Sequence, residues 1–409
     1  MIIIDDLKAL NPQQRAAFYA SFMGWALDAF DFFLLTFVLS DIAKDFNVKV
    51  ADVSQAIFLT LAARPVGAFV FGLLADRFGR KTVLQIDVLL YSLLAFASAF
   101  SPNLTVLLIL RTLFGFAMGG EWGVGASLTL ESIPAKSRGL ISGLLQEGYA
   151  VGALLGALAH LALPSIGWRG LLMFSALPAL LVLYIRRNVE ESPAWLEGKV
   201  ERQQTGIIAP LLKNWKLFIY CIILMTAFNL FSHGTPDLFP VFLKKQHHFD
   251  ATTVTIIAVV GNLGAIVGGV LFGMLSQKIG RRRAIMLAAL FALPVIPVWA
   301  FSQTPVMLAL GAFLIQISVQ GAWGVVPVHL NELSPSTVRG FFPGFVYQLG
   351  NLLASYNGVM QAKFAEARGD NYGLALAVVA SGVAIVLAIL SIFGPEARGK
   401  SFHAGDPGH

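Results

Sequence analysis

Twelve apolar runs, each about twenty residues long, recur along the sequence, and no other feature constrains the fold as strongly. A helix of that length crosses the hydrocarbon core of a bilayer. Since every peptide group in lipid must be hydrogen-bonded internally, a helix is the natural structure for such runs. The predicted spans are 17–40, 54–75, 82–100, 105–130, 139–162, 169–187, 215–239, 252–276, 284–301, 305–330, 340–361 and 373–394.

The composition agrees with lipid as the solvent. Hydrophobic residues make up 56% of the chain and charged residues 13%, which is about half the usual charged fraction. The net charge of +6 arises from short basic runs between the spans, a pattern that indicates membrane topology rather than nucleic-acid binding. The single cysteine, Cys221, excludes a disulfide framework.

The basic residues also predict an orientation and a division of the chain. Most of the 29 Lys and Arg lie on the inner side if the N-terminus is cytoplasmic, so we expect both termini in the cytoplasm. One long polar segment, 186–206, separates spans six and seven. The predicted units are a six-helix half (1–187), a cytoplasmic linker (188–214), a second six-helix half (215–394) and a cytoplasmic tail (395–409).

Three motifs occur twice at the same offset of 201 residues. They are GLLADRFGRK (72–81) and GMLSQKIGRR (273–282), GEWG (120–123) and GAWG (321–324), and ESIPAKSRG (131–139) and ELSPSTVRG (332–340). A shared offset predicts two homologous halves. Through these loops and RTLFGFAMGGEWG (111–123), nearly the whole chain resembles the major facilitator superfamily. The resemblance implies an all-α membrane protein of twelve transmembrane helices with a binding site between the halves.

The charges of the repeated loops are candidates for a gate at the cytoplasmic end. An acid there can accept hydrogen bonds from a helix N-terminus or from an Arg when that end is closed. The alternative is that these charges only set the topology. Gln277 replaces the acid in the second repeat, which predicts a weaker second contact. The predicted gate residues are Asp76, Arg77, Arg80, Glu131, Arg138, Glu332 and Arg339.

Charges inside the spans are functional candidates because burying them in a membrane is costly. An acid that gains and loses an Arg partner can bind and release a proton. Related proton-coupled sugar transporters pair a first-span Asp with a fourth-span Arg, which here implies Asp28 with Arg111; a permanent structural pair is the alternative. Asp87 is expected to serve the cytoplasmic network. The predicted proton-coupling residues are Asp28, Asp31, Arg111, Glu121 and Glu147, with helix packing as the alternative for both glutamates.

A narrower resemblance concerns the substrate. NLFSHGTPD (229–237) resembles the span-seven motif of lactate/pyruvate–proton permeases, which are grouped with the sialate–proton symporters. That resemblance implies substrate or coupling roles for Asn229, His233 and Asp237. Asn229 and His233 are four residues apart and are predicted to share one helix face near the midplane. Arg64 could bind a substrate carboxylate or pair with an acid. The predicted substrate-binding residues are Arg64, Arg111, Asn229, His233, Asp237, Tyr347 and Asn351.

We therefore predict a proton-coupled symporter of a small monocarboxylate, of the lactate or pyruvate class, in the plasma membrane (cell inner membrane) of a prokaryotic-like cell. Its partners would be the monocarboxylate, the proton and the lipid bilayer, without nucleic acid, cofactor or metal, and we expect a monomer. A larger organic acid, such as sialate or an aromatic carboxylate, is the alternative substrate. A non-transporting membrane sensor is the alternative of another class. The sequence contains no P-loop and no HExxH motif, which argues against ATP-driven transport and zinc proteolysis. No nucleophile–base constellation can be singled out, so an enzyme is not expected.

Overall fold

The computed structural model describes residues 9–198 and 208–402, which form helices, turns and loops without β-strands in those ranges. The first helix group comprises α1 Pro12–Phe37, α2 Leu39–Asp45, α3 Val50–Phe78, α4 Arg80–Ser98, α5 Leu104–Ser132, α6 Arg138–Gln146, α7 Gly148–Ala162, α8 Gly167–Met173 and α9 Pro178–Asn188. Two short helices follow, α10 Pro193–Glu197 and α11 Ile208–Lys213. The second helix group comprises α12 Trp215–Gly234, α13 Phe239–Lys245, α14 Ala251–Ile279, α15 Arg281–Phe301, α16 Pro305–Leu333, α17 Phe342–Ala354, α18 Asn357–Glu366 and α19 Tyr372–Phe393.

Eleven helical segments in the described ranges are long and apolar enough to cross a membrane. The predicted span 340–361 is not among them; two shorter helices, separated at Ser355 and Tyr356, occupy this part of the chain. The two pieces, α17 and α18, have only 13 and 10 residues. The all-helical membrane fold is confirmed, whereas the number of twelve spans and the cytoplasmic termini stay predictions.

Local sequence signals explain where the helices begin and turn. Asn11 caps α1, since its Oδ1 accepts a hydrogen bond from the Gln14 N–H at 2.8 Å and Pro12 occupies the first helical position. The sharp turns between α3 and α4 and between α14 and α15 use Gly79 and Gly280, whose φ angles are 105° and 100°. Only glycine adopts such angles readily, which explains the repeated glycine of these loops.

Contacts between the two helix groups join one end of the bundle. There α6 packs against α14 and α16, and α17 packs against α3 and α5. The approach is close, because a side-chain carbon at Gly143 would collide with the carbonyl oxygen of Gly269. We call this the closed end; it contains the loops of the predicted gate. The opposite end, where α12 terminates, is called the open end.

The predicted unit boundaries are not tested by this arrangement and stay predictions. Residues 1–8, 199–207 and 403–409, which belong to the predicted first half, linker and tail, lie outside the described residues. The outward surfaces of both groups carry large exposed apolar side chains, as a lipid-facing surface does; examples are Phe58, Leu183 and Ile256.

Candidate transport site and gate

A buried ion pair lies near the middle of the first helix group. Arg64 Nη2, on α3, is 3.9 Å from Asp28 Oδ2, on α1, and both side chains are almost completely buried. No hydrogen-bond partner for Arg64 Nε, for Arg64 Nη2 or for either Asp28 carboxylate oxygen is found in the described part of the chain. A guanidinium with unused donors can bind a carboxylate through two parallel hydrogen bonds.

Aromatic side chains from both helix groups surround this pair. Tyr149 and Tyr347 interact electrostatically with both Arg64 and Asp28. The ring of Tyr347, on α17, lies 4.8 Å from that of Trp122, on α5, so the two groups meet here. Further rings complete the wall: Trp25 and Phe33 pack on Tyr149, and Trp323 packs on Tyr347.

Tyr347 was among the residues predicted from the sequence, whereas Tyr149 and the tryptophans were not. Trp122 and Trp323 are the aromatic residues of the repeated GEWG and GAWG motifs, so the 201-residue offset contained the signal for them. Tyr149 follows the break between α6 and α7, and no pattern in the sequence distinguished it.

The predicted pairing of Asp28 with Arg111 is wrong. Asp28 contacts Arg64 instead, while Arg111 is fully buried and interacts electrostatically with Asp31. The three guanidinium nitrogens of Arg111 have no hydrogen-bond partner among the described residues, and its side chain stacks near Phe114. These contacts of Arg111 lie within the first group, and its predicted roles in proton coupling and substrate binding stay predictions.

Two further acids lie beside Asp28. Glu121 on α5 interacts electrostatically with Asp28, Asp87 and Arg64, and Asp87 on α4 interacts with Asp28. Both carboxylates are fully buried, and their four oxygens lack hydrogen-bond partners in the described ranges. The expectation that Asp87 belongs to the cytoplasmic network is therefore wrong. Glu147 lies apart from this cluster, with its Oε1 against Gly269 of the second group.

The predicted second-group residues lie at different depths. Asn229 is buried, and its Nδ2 donates a hydrogen bond to the Met225 carbonyl at 2.8 Å. His233 and Asp237 lie at the open end, 44% and 48% exposed, and their side chains are 3.2 Å apart. The idea that Asn229 and His233 act together near the midplane is therefore not supported by their positions. Asn351, one turn beyond Tyr347, is half-buried.

The predicted gate charges form two similar clusters at the closed end. Arg80 Nε and Nη2 donate to the two Glu131 carboxylate oxygens at 3.3 and 3.2 Å, and Arg80 Nη1 donates to Asp76 at 2.8 Å. In the second group, Arg281 donates to Glu332 at 2.8 and 3.0 Å. Sequence reasoning missed Arg281, although the repeat aligns it with Arg80.

Hydrogen bonds between the groups connect the two clusters. The Asp76 carboxylate accepts from the Gly340 and Phe341 N–H groups, at 2.9 and 3.0 Å, where α17 begins. Gln277 Oε1 accepts one bond from the Gly139 N–H at 3.1 Å. Two ion pairs also cross over, Arg339 with Glu131 at 3.6 Å and Arg138 with Glu332 at 3.9 Å.

Arg77 is the exception among the predicted gate residues. Its side chain is exposed and lies over the ring of the adjacent Phe78, outside the charge clusters. The sequence motif suggested otherwise because Arg77 lies between Asp76 and Arg80, but on a helix adjacent residues point in different directions.

The chain after α19 also contributes to the closed end, which the sequence did not indicate. The ring of Phe402 lies between two guanidinium groups, 3.6 Å from Arg138 and 4.0 Å from Arg339. Arg138 Nη1 donates to the Lys400 carbonyl at 2.8 Å, and the Gly399 N–H donates to Glu332 at 3.2 Å. Burial lowers the pKa of Lys400. The segment 396–402 thus contacts both helix groups.

Comparison with known proteins identifies the family. Residues 21–356 and 237–406 match the family profile of the Major Facilitator Superfamily. The chain belongs to this superfamily. The Sialic acid transporter NanX of Escherichia coli (strain K12) is 27% identical over 402 residues, which cover 97% of each chain. A Carboxylic acid transporter protein homolog of Saccharomyces cerevisiae is 28% identical over 419 residues, which cover 95% of this chain and 67% of that protein.

A solved structure supports the fold. The proton:xylose symporter XylE, bound to 6-bromo-6-deoxy-D-glucose, matches with a TM-score of 0.77 at 18% identity, over 95% of this chain and 98% of that one. The predictions of a superfamily transporter rather than an enzyme, and of a multi-pass inner-membrane protein, are confirmed. The 3.9 Å pair of Arg64 and Asp28 is the candidate transport site of this transporter.

Proposed function

We propose that this transporter is a proton-coupled symporter of a small monocarboxylate, of the lactate or pyruvate class. The observation that supports it is the Arg64–Asp28 pair, a buried guanidinium with two unused donor nitrogens beside a carboxylate that could bind a proton. A buried cation without a full set of hydrogen bonds favours binding an anion. Relatives whose names specify a carboxylic acid and sialic acid agree with an anionic substrate.

In the proposed cycle, the substrate enters from the open end and its carboxylate takes the Arg64 guanidinium from Asp28. Asp28, without its counter-ion, binds a proton, so that the site stays neutral. One anion and one proton then cross together, and the membrane potential does no work on the pair. The hydrogen bonds of Asp76 to Gly340 and Phe341 break when the closed end opens, and substrate and proton leave there.

The aromatic wall supports an aromatic carboxylate as a second candidate substrate. Tyr149 and Tyr347 interact electrostatically with Arg64, and the flat faces of tryptophan rings pack on both tyrosines. Such faces pack well on a planar substrate ring and make less favourable contact with a three-carbon acid.

Uptake by purified protein in liposomes decides the substrate class. We expect an imposed pH gradient to drive accumulation of labelled lactate or pyruvate, with sialate and benzoate as the competing probes. Preferential accumulation of benzoate would favour the aromatic candidate, and accumulation of none of the four would contradict carboxylate transport.

The proton-coupling role of Asp28 has its own test. Asp28→Asn keeps the side-chain shape but cannot bind and release a proton, so gradient-driven accumulation should be abolished while exchange of labelled for unlabelled substrate continues. Asp45→Asn is the matched control, since Asp45 forms an exposed ion pair with Arg169 in the same helix group. Unchanged accumulation by Asp28→Asn would contradict the assignment.

A further inference from the structure

The interior of the first helix group contains more buried carboxylates than arginines that could neutralise them. Four buried carboxylates, those of Asp28, Asp31, Asp87 and Glu121, interact with one another and with the hydroxyl-bearing ring of Tyr91. Arg64 is 3.9 Å from Asp28, and Arg111 faces Asp31. Asp87 and Glu121 are left without a hydrogen-bonded or ion-paired partner in the described part of the chain. Because an unpaired buried carboxylate costs several kcal/mol, these two acids are expected to be protonated in this state.

The packing around the two acids is fitted to their carboxyl groups. A side-chain carbon at Gly24 of α1 would collide with Glu121 Oε1. A side-chain carbon at Gly120 of α5 would lie 2.8 Å from Asp87 Oδ2. The carboxyl group of Asp87 therefore reaches the backbone of α5 immediately before Glu121, and that of Glu121 reaches α1 in the turn that precedes Asp28.

The fold itself does not require these charges. The offset of 201 residues aligns the charged and hydroxyl-bearing residues of the cluster on α3, α4 and α5 with alanine in every case. Arg64, Asp87, Tyr91, Arg111 and Glu121 correspond to Ala265, Ala288, Ala292, Ala312 and Ala322. All five alanines are buried at the equivalent packing positions of the second group. A role in helix packing alone would not explain why one repeat is charged there.

Glu121 and Asp87 both lie on the closed-end side of Asp28. Asp28 lies sixteen residues into α1, which is about 24 Å from its closed-end terminus at a rise of 1.5 Å per residue. By the same measure, Glu121 lies about 16 Å from the closed-end terminus of α5 at Ser132. Asp87 lies about 10 Å from that of α4 at Arg80. The contacts give the depths more directly, because these helices do not end at one level. Glu121 Oε1 lies against Gly24, which is one turn nearer the closed end than Asp28 on α1, and Asp87 Oδ2 lies against Gly120, beside Glu121. Glu121 and Asp87 are therefore at about the same depth, both on the closed-end side of Asp28.

We propose that Glu121 and Asp87 form a proton relay that leads from Asp28 to the closed end, which deepens the proposed proton-coupled function and rests on it. When that end opens, the Asp87 carboxyl O–H breaks and its proton passes to water. The Glu121 proton then passes to the Asp87 carboxylate, and the Asp28 proton passes to the Glu121 carboxylate. The net result is one proton released from Asp28, which becomes an anion again and pairs with Arg64 as the substrate leaves.

The relay is tested with Asp87→Asn and Glu121→Gln, in the full-length protein in liposomes. Each variant keeps the shape of the protonated acid but cannot pass a proton on. We expect substrate accumulation driven by a pH gradient to fall roughly tenfold or more below the wild-type level. Internal acidification, recorded by a trapped pH-sensitive dye, should fall by the same factor. The rate of substrate exchange should stay within about twofold of the wild-type rate. Since the two acids act in series, the double variant should lose no more than either single variant. Asp45→Asn serves again as the control.

A second measurement needs no transport at all. Infrared spectroscopy of the wild-type protein near neutral pH should show the carbonyl stretch of protonated carboxylic acids, and each variant should lose part of that band. If both variants keep acidification and accumulation, or keep the whole band, the relay is overturned while the proposed function stands. If the wild-type protein moves substrate without protons, the proposed function and the relay are both overturned. Equal losses of exchange and accumulation, together with lower thermal stability, would indicate a structural role instead.

Discussion

At the residue scale, substrate binding at the proposed site requires an arginine at position 64. A lysine keeps the positive charge but loses the planar fork that binds a carboxylate through two hydrogen bonds. Arg64→Lys should therefore raise the KM for the substrate by roughly tenfold or more, since hydrogen bonds to charged groups contribute about 1.5–3 kcal/mol. Initial uptake rates over a range of substrate concentrations measure this change.

The control for that substitution is Arg169→Lys, at an exposed guanidinium that pairs with Asp45 at 3.1 Å. Exposed pairs contribute little, so its KM should match the wild type. An Arg64→Lys protein with unchanged KM would show that the guanidinium does not bind the substrate.

Residue identity could be predicted from the sequence more reliably than residue pairing. Asp28, Arg64 and Arg111 were recognisable as functional candidates, because charges are rare inside apolar spans. Their partners depend on how the helices rotate and at what depth each residue lies, which a single sequence does not specify. The resemblance to sugar transporters favoured Asp28 with Arg111, whereas α3 places Arg64 beside Asp28.

At the scale of elements, the beginning of α17 is fixed by Asp76. Asp76→Asn would replace one of the two accepting oxygens with an NH₂ group and weaken the bonds to the Gly340 and Phe341 N–H groups. A loss of about 1–3 kcal/mol should accelerate hydrogen–deuterium exchange of residues 336–345 roughly tenfold or more.

Gln277→Ala is the matched comparison for this gate contact, because Gln277 provides one hydrogen bond between the groups where Asp76 provides two. Its effect on exchange at residues 138–143 should be the smaller of the two. An equal or larger effect would contradict the prediction, made from the sequence repeat, that the second contact is the weaker one.

The segment 396–402 is a second element that should stabilise the closed end. Phe402→Ala removes the ring between Arg138 and Arg339 and two cation–π contacts, each worth about 0.5–2 kcal/mol. We expect faster hydrogen–deuterium exchange both in this segment and in residues 336–345. Phe393→Ala, at a ring that is 83% exposed, is the control. If Phe402→Ala changes exchange only in its own segment, the segment does not support the contact between the groups.

At the scale of the whole molecule, closure requires glycine where the helix groups meet. Gly143→Leu would place a bulky side chain against the Gly269 carbonyl, so the closed end could not form as it does here. Distances between spin labels attached to the two groups at this end should lengthen and exchange transport should slow. A Gly143→Leu protein with wild-type distances would show that the groups close by another contact.

The fold of the whole molecule could be predicted from the sequence better than its local contacts. The apolar runs and the 201-residue offset predicted helices, superfamily and gate residues, because bilayer thickness and repetition are one-dimensional signals. The interruption between α17 and α18 at Ser355 and Tyr356, the position of Phe402, and the proximity of Asp28, Glu121 and Asp87 were not predictable. They follow from three-dimensional packing between distant segments.

The most direct test of the central claim is a simultaneous measurement of substrate and proton entry into liposomes that contain the purified wild-type protein. We expect one proton to enter with each carboxylate, accumulation to follow the pH gradient, and an imposed membrane potential to leave that accumulation unchanged. Carboxylate entry without proton entry, or accumulation driven by the membrane potential alone, would contradict the central claim.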